Sequence, residues 1–137
     1  MINYSVVFLC LSLTAYSSVE ILSRHHAYRE WNSVQTHYNI NNLEETIDKY
    51  HCLYPKMNRQ KQFIYEYARC LSATGQYEAG NEMLERFLLF GSDPVIYNSM
   101  GDNYKNMGVY EKAEKMYIRA SEIVPNRHYP LYLLMLL

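Results

Sequence analysis

The sequence predicts an all-α fold in which antiparallel helical hairpins stack as a short right-handed solenoid, preceded by an apolar N-terminal helix. The block Gly75-Gln76-Tyr77-Glu78 returns as Gly108-Val109-Tyr110-Glu111, an offset of 108 − 75 = 33 residues. Both copies carry apolar residues at helical spacing on either side of the glycine. Glu20 is the single charged residue among the first 22. A helical repeat array behind an apolar leader accounts for all three observations.

Composition limits the chain to about one domain and excludes several functions. Its 137 residues are 49% hydrophobic, which is enough to bury a core. Thirteen Lys and Arg stand against fourteen Asp and Glu, so no global positive field would attract nucleic acid, and we expect no nucleic-acid partner. Cys10, Cys52 and Cys70 lack a paired CxxC spacing. We therefore expect three free thiols rather than a disulfide framework or a zinc site.

Residues 1–23 form a candidate membrane anchor or signal-like helix. The run from Tyr4 to Val19 has no charge, but it reaches the 20 or so residues of a spanning helix only by including Ser17, Ser18 and Glu20. A cleaved secretory signal is the alternative, with small residues at Ala15-Tyr16-Ser17, although no basic residue precedes its apolar part. A leader helix that is buried or frayed is the third interpretation.

Basic residues follow the apolar run, at Arg24, His25, His26 and Arg29. Basic flanks of a membrane span tend to stay on the cytoplasmic side. The pattern therefore predicts a single-pass inner-membrane protein whose repeat region is cytoplasmic. Cleavage of the leader would instead give a secreted or periplasmic protein.

The later copy, residues 94–127, carries the most regular motif. It matches W-x2-L-G-x2-Y, A-x3-F and a closing proline at Tyr97, Met100, Gly101, Tyr104, Ala113, Tyr117 and Pro125. This spacing resembles the tetratricopeptide family, which implies paired helices that bind a protein or peptide partner. Gly101 and Ala113 are expected to be small where the helices cross, and Gly108 to close the first helix with a positive φ.

Three further segments fit the same unit. Residues 58–93 form a tetratricopeptide hairpin in which Gly80 is expected to relieve crowding, and residues 24–57 form a degenerate copy. The degenerate copy is expected to turn at Asn39-Ile40-Asn41-Asn42 and to end its second helix at Pro55. Residues 128–137 have the pattern of a further first helix that lacks its partner, which predicts a truncated repeat.

A narrower resemblance covers nearly the whole chain. Its blocks are Arg29-Glu30-Trp31, Gly75-Gln76-Tyr77-Glu78, Ser92-Asp93-Pro94, Tyr110-Glu111-Lys112-Ala113-Glu114, Val124-Pro125-Asn126-Arg127 and Tyr129-Pro130-Leu131-Tyr132-Leu133-Leu134. The set resembles the C-terminal repeat region of O-antigen ligase or polymerase-like membrane proteins of Bacteroides-type bacteria. In that family the chemistry belongs to a multi-span domain, so no catalytic residue carries over. The resemblance implies the scaffold end of a cell-envelope polysaccharide protein.

Candidate sites point to binding rather than catalysis. None of the His spacings matches a metal motif, and no phosphate-binding loop or nucleophile elbow is present, so we expect no metal, no cofactor and no catalytic residue. The candidate groove consists of outward positions on the first helix of each hairpin: His25, Tyr28, Asn32, Tyr65, Arg69, Asn98, Asp102 and Lys105. The alternatives to a scaffold are the remnant of an intact membrane ligase and a secreted soluble adaptor.

Overall fold

The computed structural model describes residues 4–36, 43–126 and 128–137, and within these ranges the chain forms seven α-helices. Their bounds are α1 Tyr4–Thr36, α2 Leu43–Met57, α3 Lys61–Ala73, α4 Tyr77–Leu88, α5 Pro94–Asn106, α6 Tyr110–Ile123 and α7 His128–Met135. Each helix packs against the next one along the chain. The predicted all-α solenoid of antiparallel hairpins is confirmed.

Matching glycine turns close the first helix of both regular hairpins. Gly75 and Gly108 have φ angles of 81° and 76°. After α3, the Gln76 amide donates to the Leu71 carbonyl at 2.9 Å, and after α5 the Val109 amide donates to the Tyr104 carbonyl at 2.9 Å. Both are glycine-terminated helix ends of the Schellman type, in which glycine supplies the left-handed backbone without strain. The positive φ expected at Gly108 is confirmed.

The α5–α6 hairpin packs around the ring of Tyr117. Gly101 and Ala113 are buried, and a Cβ added at Gly101 would overlap the Tyr117 ring. The prediction that these two residues are small where helices cross is therefore confirmed. Asp93 caps α5 by accepting a hydrogen bond from the Val95 amide at 2.8 Å, ahead of proline at the first helical position.

The junction between α4 and α5 is closed by a buried amide pair. Asn103 Nδ2 donates to Asn81 Oδ1 at 2.8 Å. A Cβ at Gly80 would lie 2.7 Å from Ser72 Oγ and 3.3 Å from the Ala68 carbonyl oxygen. Gly80 does relieve crowding, as predicted, because it lets α3 and α5 approach α4 on the same side.

The α1–α2 hairpin contributes most of the largest apolar cluster. Ala27 and Val34 of α1 pack with Tyr50 and Leu53 of α2 and with Phe63 of α3. The prediction that α2 ends at Pro55 is wrong, since the helix continues to Met57. Pro55 has no amide proton to donate to the carbonyl four residues earlier, so the helix continues without that bond, and buried Leu53 and Met57 pack its last turn into the apolar cluster. The predicted turn Asn39-Ile40-Asn41-Asn42 lies outside the described residues.

Helix α1 runs through the predicted boundary at residue 23 without a break. The change is in burial: every residue from Ser5 to Leu22 is exposed, whereas Ala27 is 1% and Val34 8% exposed. The N-terminal half of α1 is therefore helical and packs against no other described part of the chain. A leader buried within this chain, one of the three interpretations, is not observed.

Candidate functional site

Glu66 of α3 joins the first three helices through hydrogen bonds. Its carboxylate accepts from Trp31 Nε1 at 2.8 Å, Tyr50 OH at 3.0 Å and Gln62 Nε2 at 2.9 Å. Gln35 Nε2 reaches both carboxylate oxygens, at 2.7 and 2.9 Å. We call these five residues the Glu66 cluster. All four donors are neutral side chains, and together they satisfy most of the lone pairs of the carboxylate.

A partly open cavity of about 230 Å³ lies beside this cluster, between α1 and α3. Its lining consists of Gln35, Tyr50, Glu66, Arg69 and Cys70. Arg69 is exposed, and its guanidinium lies 5.9 Å from the ring centroid of Tyr65. Since Glu66 already accepts five hydrogen bonds, Arg69 is the lining group best placed to meet an incoming polar group.

Stacked aromatic rings form the inner wall of this region. Trp31 lies 5.8 Å from Phe63, and Tyr50 lies 5.2 Å from Phe63 between ring centroids. Tyr50 and Tyr67 are stacked at 5.6 Å with an interplanar angle of 9°. Burial, followed by the neighbouring Glu66 carboxylate, raises the pKa of Tyr50 above its usual range. Tyr50 therefore remains a neutral donor that holds the wall against α1.

The candidate groove residues on α1 and α3 lie on accessible surface. His25, Tyr28 and Asn32 are exposed on α1, and the Tyr28 ring lies 5.9 Å from Trp31. On α3, Tyr65 is half-buried beside Phe87 at 6.3 Å. Tyr28 thus extends the buried aromatic wall outward from Trp31, whereas Tyr65 packs against Phe87 of α4. Both rings supply apolar contact area with polar tips.

The candidate groove residues on α5 are more deeply placed. Asn98 is only 8% exposed, and its Oδ1 has no hydrogen-bond partner in the described part of the chain. Asp102 accepts from Tyr117 OH at 2.7 Å, and Lys105 Nζ donates to the Leu136 carbonyl at 3.0 Å. Burial, then the Asp102 bond, raises the pKa of Tyr117. Asp102 and Lys105 therefore tie α5 to α6 and α7, and the surface open to a partner is mainly on α1 and α3.

Sequence reasoning missed the Glu66 cluster. Trp31 and Gln35 are separated from Glu66 by 35 and 31 residues, so no local spacing connects them. One signal was available, because Glu66 stands between Tyr65 and Tyr67 on the face of α3 that carries Phe63. An ionisable side chain among buried rings requires polar partners.

Nothing else in the described ranges adds a chemical centre. No group of three or more His, Cys, Asp or Glu side chains there is arranged to hold a metal ion. Cys10 and Cys52 are exposed thiols, and Cys70 is a buried one. The arrangement described above is suited to binding.

Comparison with known proteins identifies the architecture. The structure is similar to the type III secretion translocator chaperone SycD of Yersinia enterocolitica, crystallised as an alternative dimer, with a TM-score of 0.63. The chain is a tetratricopeptide-like helical repeat. The match covers 86% of this chain and 90% of that one at 15% sequence identity, so what the two proteins share is the fold. No protein-family model matches the sequence, and no curated protein matches it significantly.

Proposed function

We propose that this chain is a non-catalytic tetratricopeptide-like scaffold that binds a segment of a partner protein on the α1–α3 side of the repeat. The observation that carries the proposal is the α1–α3 cavity, where the exposed Arg69 cation stands beside the Glu66 cluster and over the ring of Tyr65. Aromatic and Arg side chains are the residues most often found at the energetic centre of protein interfaces. A fold shared with a secretion chaperone supports the same role.

The chemistry of the groove favours a partner segment with an acidic or amide group next to an apolar one. Arg69 is exposed and can donate two parallel hydrogen bonds to a carboxylate. The Arg69 guanidinium lies over the ring of Tyr65, and Tyr28 is a second amphipathic ring, exposed on α1. A basic partner segment is disfavoured here, since Arg69 would repel it.

Membrane anchoring through α1 is the second part of the proposal. The helix is long and apolar enough to cross a membrane, and its apolar half is exposed. The polar side chains in that half bond back to their own helix: Ser12 to the Leu9 carbonyl, Thr14 to Leu11, Ser17 to Leu13 and Ser18 to Thr14. Internal satisfaction of polar groups is what a hydrocarbon environment requires. With the basic flank inside, the repeat would face the cytoplasm.

The narrower assignment, a scaffold at the C-terminal end of an O-antigen ligase-like cell-envelope protein, rests on the sequence blocks alone. It implies that the bound partner belongs to polysaccharide assembly. The remnant of an intact ligase is the competing enzyme hypothesis, and the upstream genomic reading frame distinguishes the two. Amino-terminal sequencing of the mature protein, beginning near Ser18, would instead identify a secreted adaptor.

Site-specific photo-crosslinking in cells tests the binding role. A photoreactive residue replaces Arg69, and a matched control replaces Glu82, which is exposed on α4. We expect a discrete crosslinked protein from position 69 alone, identified by mass spectrometry. The purified partner should then bind Arg69→Glu about tenfold more weakly, equivalent to about 1.4 kcal/mol. Identical patterns from both positions would contradict the groove.

Fractionation tests the anchor separately. A tagged full-length chain should sediment with membranes, resist carbonate extraction and be released by detergent. Recovery of the whole chain in the soluble cytosol would remove the anchor from the proposal and leave the groove unaffected.

A further inference from the structure

A second cavity, of about 430 Å³, lies between α6 and α7, away from the candidate groove. We call it the α6–α7 cavity. Its lining residues are Tyr110, Glu111, Glu114, Ile118, Leu134 and Leu137. None of them belongs to the Glu66 cluster or to the eight groove residues, so this surface is independent of the proposed function.

Comparison with the equivalent junction explains why this one is open. The offset that relates Gly75 to Gly108 places Glu114 at the position of Asn81, and the offset from Pro94 to His128 places Leu137 at the position of Asn103. Asn81 and Asn103 close the α4–α5 junction with a buried hydrogen bond of 2.8 Å. A carboxylate and an aliphatic side chain cannot form that bond. Glu114 and Leu137 instead border an accessible space.

The cavity has an apolar floor and an acidic rim. Ile118 and Leu137 line the open cavity and are 40% and 38% exposed. Glu111 and Glu114 are exposed and lie one turn apart on α6. Neither forms an ion pair with any residue in the described ranges. Apolar side chains beside two carboxylates that have no ion-pair partner in the described ranges suit a ligand that is both apolar and cationic.

The cations on α6 do not neutralise this rim. Lys112 lies over the Tyr104 ring at 5.2 Å, and Arg119 bonds Glu122 at 3.0 Å. Lys115 stands one turn after Glu111 without an ion pair to it among the described residues. Both carboxylates are therefore available to an external cation.

We propose that the α6–α7 cavity binds a basic amphipathic helix of a partner protein. Aliphatic residues of that helix would cover Ile118, Leu134 and Leu137, and Lys or Arg one turn apart would face Glu111 and Glu114. Helix-in-groove recognition reads apolar anchors at i, i+3, i+4 and i+7, and complementary rim charge sets orientation and association rate. The charge at this site is negative, opposite to that of the groove, where Arg69 is proposed to bind an acidic or amide group.

The test uses the full chain in a non-ionic detergent and two labelled synthetic helical peptides. Both peptides carry the same Leu face. One has Lys at the flanking positions and the other has Glu, and binding to protein-free micelles is subtracted. Fluorescence anisotropy should show that the Lys peptide binds and the Glu peptide does not. Binding should weaken as salt rises, because exposed charges are screened within about 10 Å at 0.1 M.

Two variants assign binding to the cavity. Glu111→Gln with Glu114→Gln should raise the dissociation constant of the Lys peptide roughly three- to tenfold, as expected for two exposed charge pairs. Ile118→Asp should abolish binding. The matched control, Glu78→Gln with Glu82→Gln, removes the same charge from α4 beside the closed junction and should change nothing.

Three outcomes would overturn the proposal: no binding of the Lys peptide, equal binding of the two peptides, or equal losses in the cavity variants and the α4 control. Sedimentation velocity tests whether a second copy of this chain occupies the cavity. A chain that is dimeric in detergent, and becomes monomeric on Ile118→Asp, would show that a second copy fills the cavity instead.

Discussion

The α5–α6 hairpin and the α1–α2 hairpin each bury a tyrosine between their helices, but they hold it by different contacts. Each places a buried tyrosine on its second helix, Tyr117 at 0% and Tyr50 at 2% exposure, four residues after a small buried residue, Ala113 or Thr46. Tyr117 lies on Gly101 and donates to Asp102 of its own hairpin. Tyr50 instead donates to Glu66, on the first helix of the following hairpin.

The difference follows from what stands on the first helix. Gly101 lets the Tyr117 ring lie against the α5 backbone. In α1, Trp31 and Gln35 both donate to Glu66 of α3. The regular hairpin is therefore closed by shape within itself, and the degenerate one is closed by a polar cluster that depends on its neighbour. Loss of a single residue should affect the two in different ways.

The largest effect is expected from Glu66→Ala. Removing the carboxylate leaves Trp31 Nε1 and Tyr50 OH without their partner, and each unmade bond in a partly buried place costs about 1 to 3 kcal/mol. We expect a loss of about 3 kcal/mol, with α1 released first. Trp31 is the single tryptophan, so its fluorescence should shift to the red, and hydrogen exchange should rise in residues 25–35.

Asp102→Ala is the matched control for that variant, since it removes one tyrosine partner instead of a cluster. It should cost about 1 kcal/mol and leave Trp31 fluorescence unchanged. Equal losses for the two variants would contradict the contrast between the hairpins.

Gly101→Ala comes next. The added methyl would overlap the Tyr117 ring, which is fully buried and held by Asp102, so overpacking should lower the free energy of unfolding by about 1 to 3 kcal/mol. Gly80→Ala is the comparison: Ser72 Oγ can rotate away, and a gain in helix propensity of about 1 kcal/mol offsets the tight contacts that remain with Asn103 Nδ2 and the Ala68 carbonyl oxygen. Thermal melts should show a clear loss for position 101 and a change near zero for position 80.

Alkaline pH should weaken both hairpins through their tyrosines. Burial raises the folded-state pKa of Tyr50 and of Tyr117. Below the unfolded pKa of about 10 both states are protonated and stability is unaffected. Above it the unfolded state loses protons first, so stability falls by up to about 1.4 kcal/mol per pH unit for each tyrosine. Denaturant titrations from pH 9 to 12 should show this fall, and Tyr50→Phe and Tyr117→Phe should each reduce its slope.

The smallest effect is expected at the glycine turns, the feature that the two regular hairpins share. Gly75→Ala and Gly108→Ala place a Cβ on a left-handed backbone in open space, where nothing else is touched. Each should cost about 1 kcal/mol, since only the backbone conformation is penalised. Melting temperatures that fall equally would confirm equivalent turns, whereas unequal losses would point to an unrecognised contact at one of them.

Local residues made the regular hairpins predictable. Gly75, Gly108, Asp93 and Pro94 act within a few positions of themselves, so the end of α3 and both ends of α5 followed from the sequence. Pro55 misled because its local penalty, a lost hydrogen bond to the preceding turn, is outweighed by the tertiary packing of Leu53 and Met57.

The candidate site was less accessible to sequence reasoning. Its exposed members, such as Tyr28 and Arg69, follow from helical spacing. The burial of Asn98 and the engagement of Asp102 by Tyr117 do not, because they depend on α6. Glu66 was missed since its partners come from three helices, and only their assembly brings those donors to one carboxylate.

The continuity of α1 has a consequence for how the scaffold would meet its partner. A helix of 33 residues is about 50 Å long, and each residue turns it by about 100° while advancing it by 1.5 Å. With the apolar half held in a bilayer, the direction in which Arg69 and the α1–α3 cavity point around the membrane normal is set by the residue count between the two halves. Inserting one residue near Ser23 would rotate the repeat by about 100°, and adding seven would nearly restore its heading.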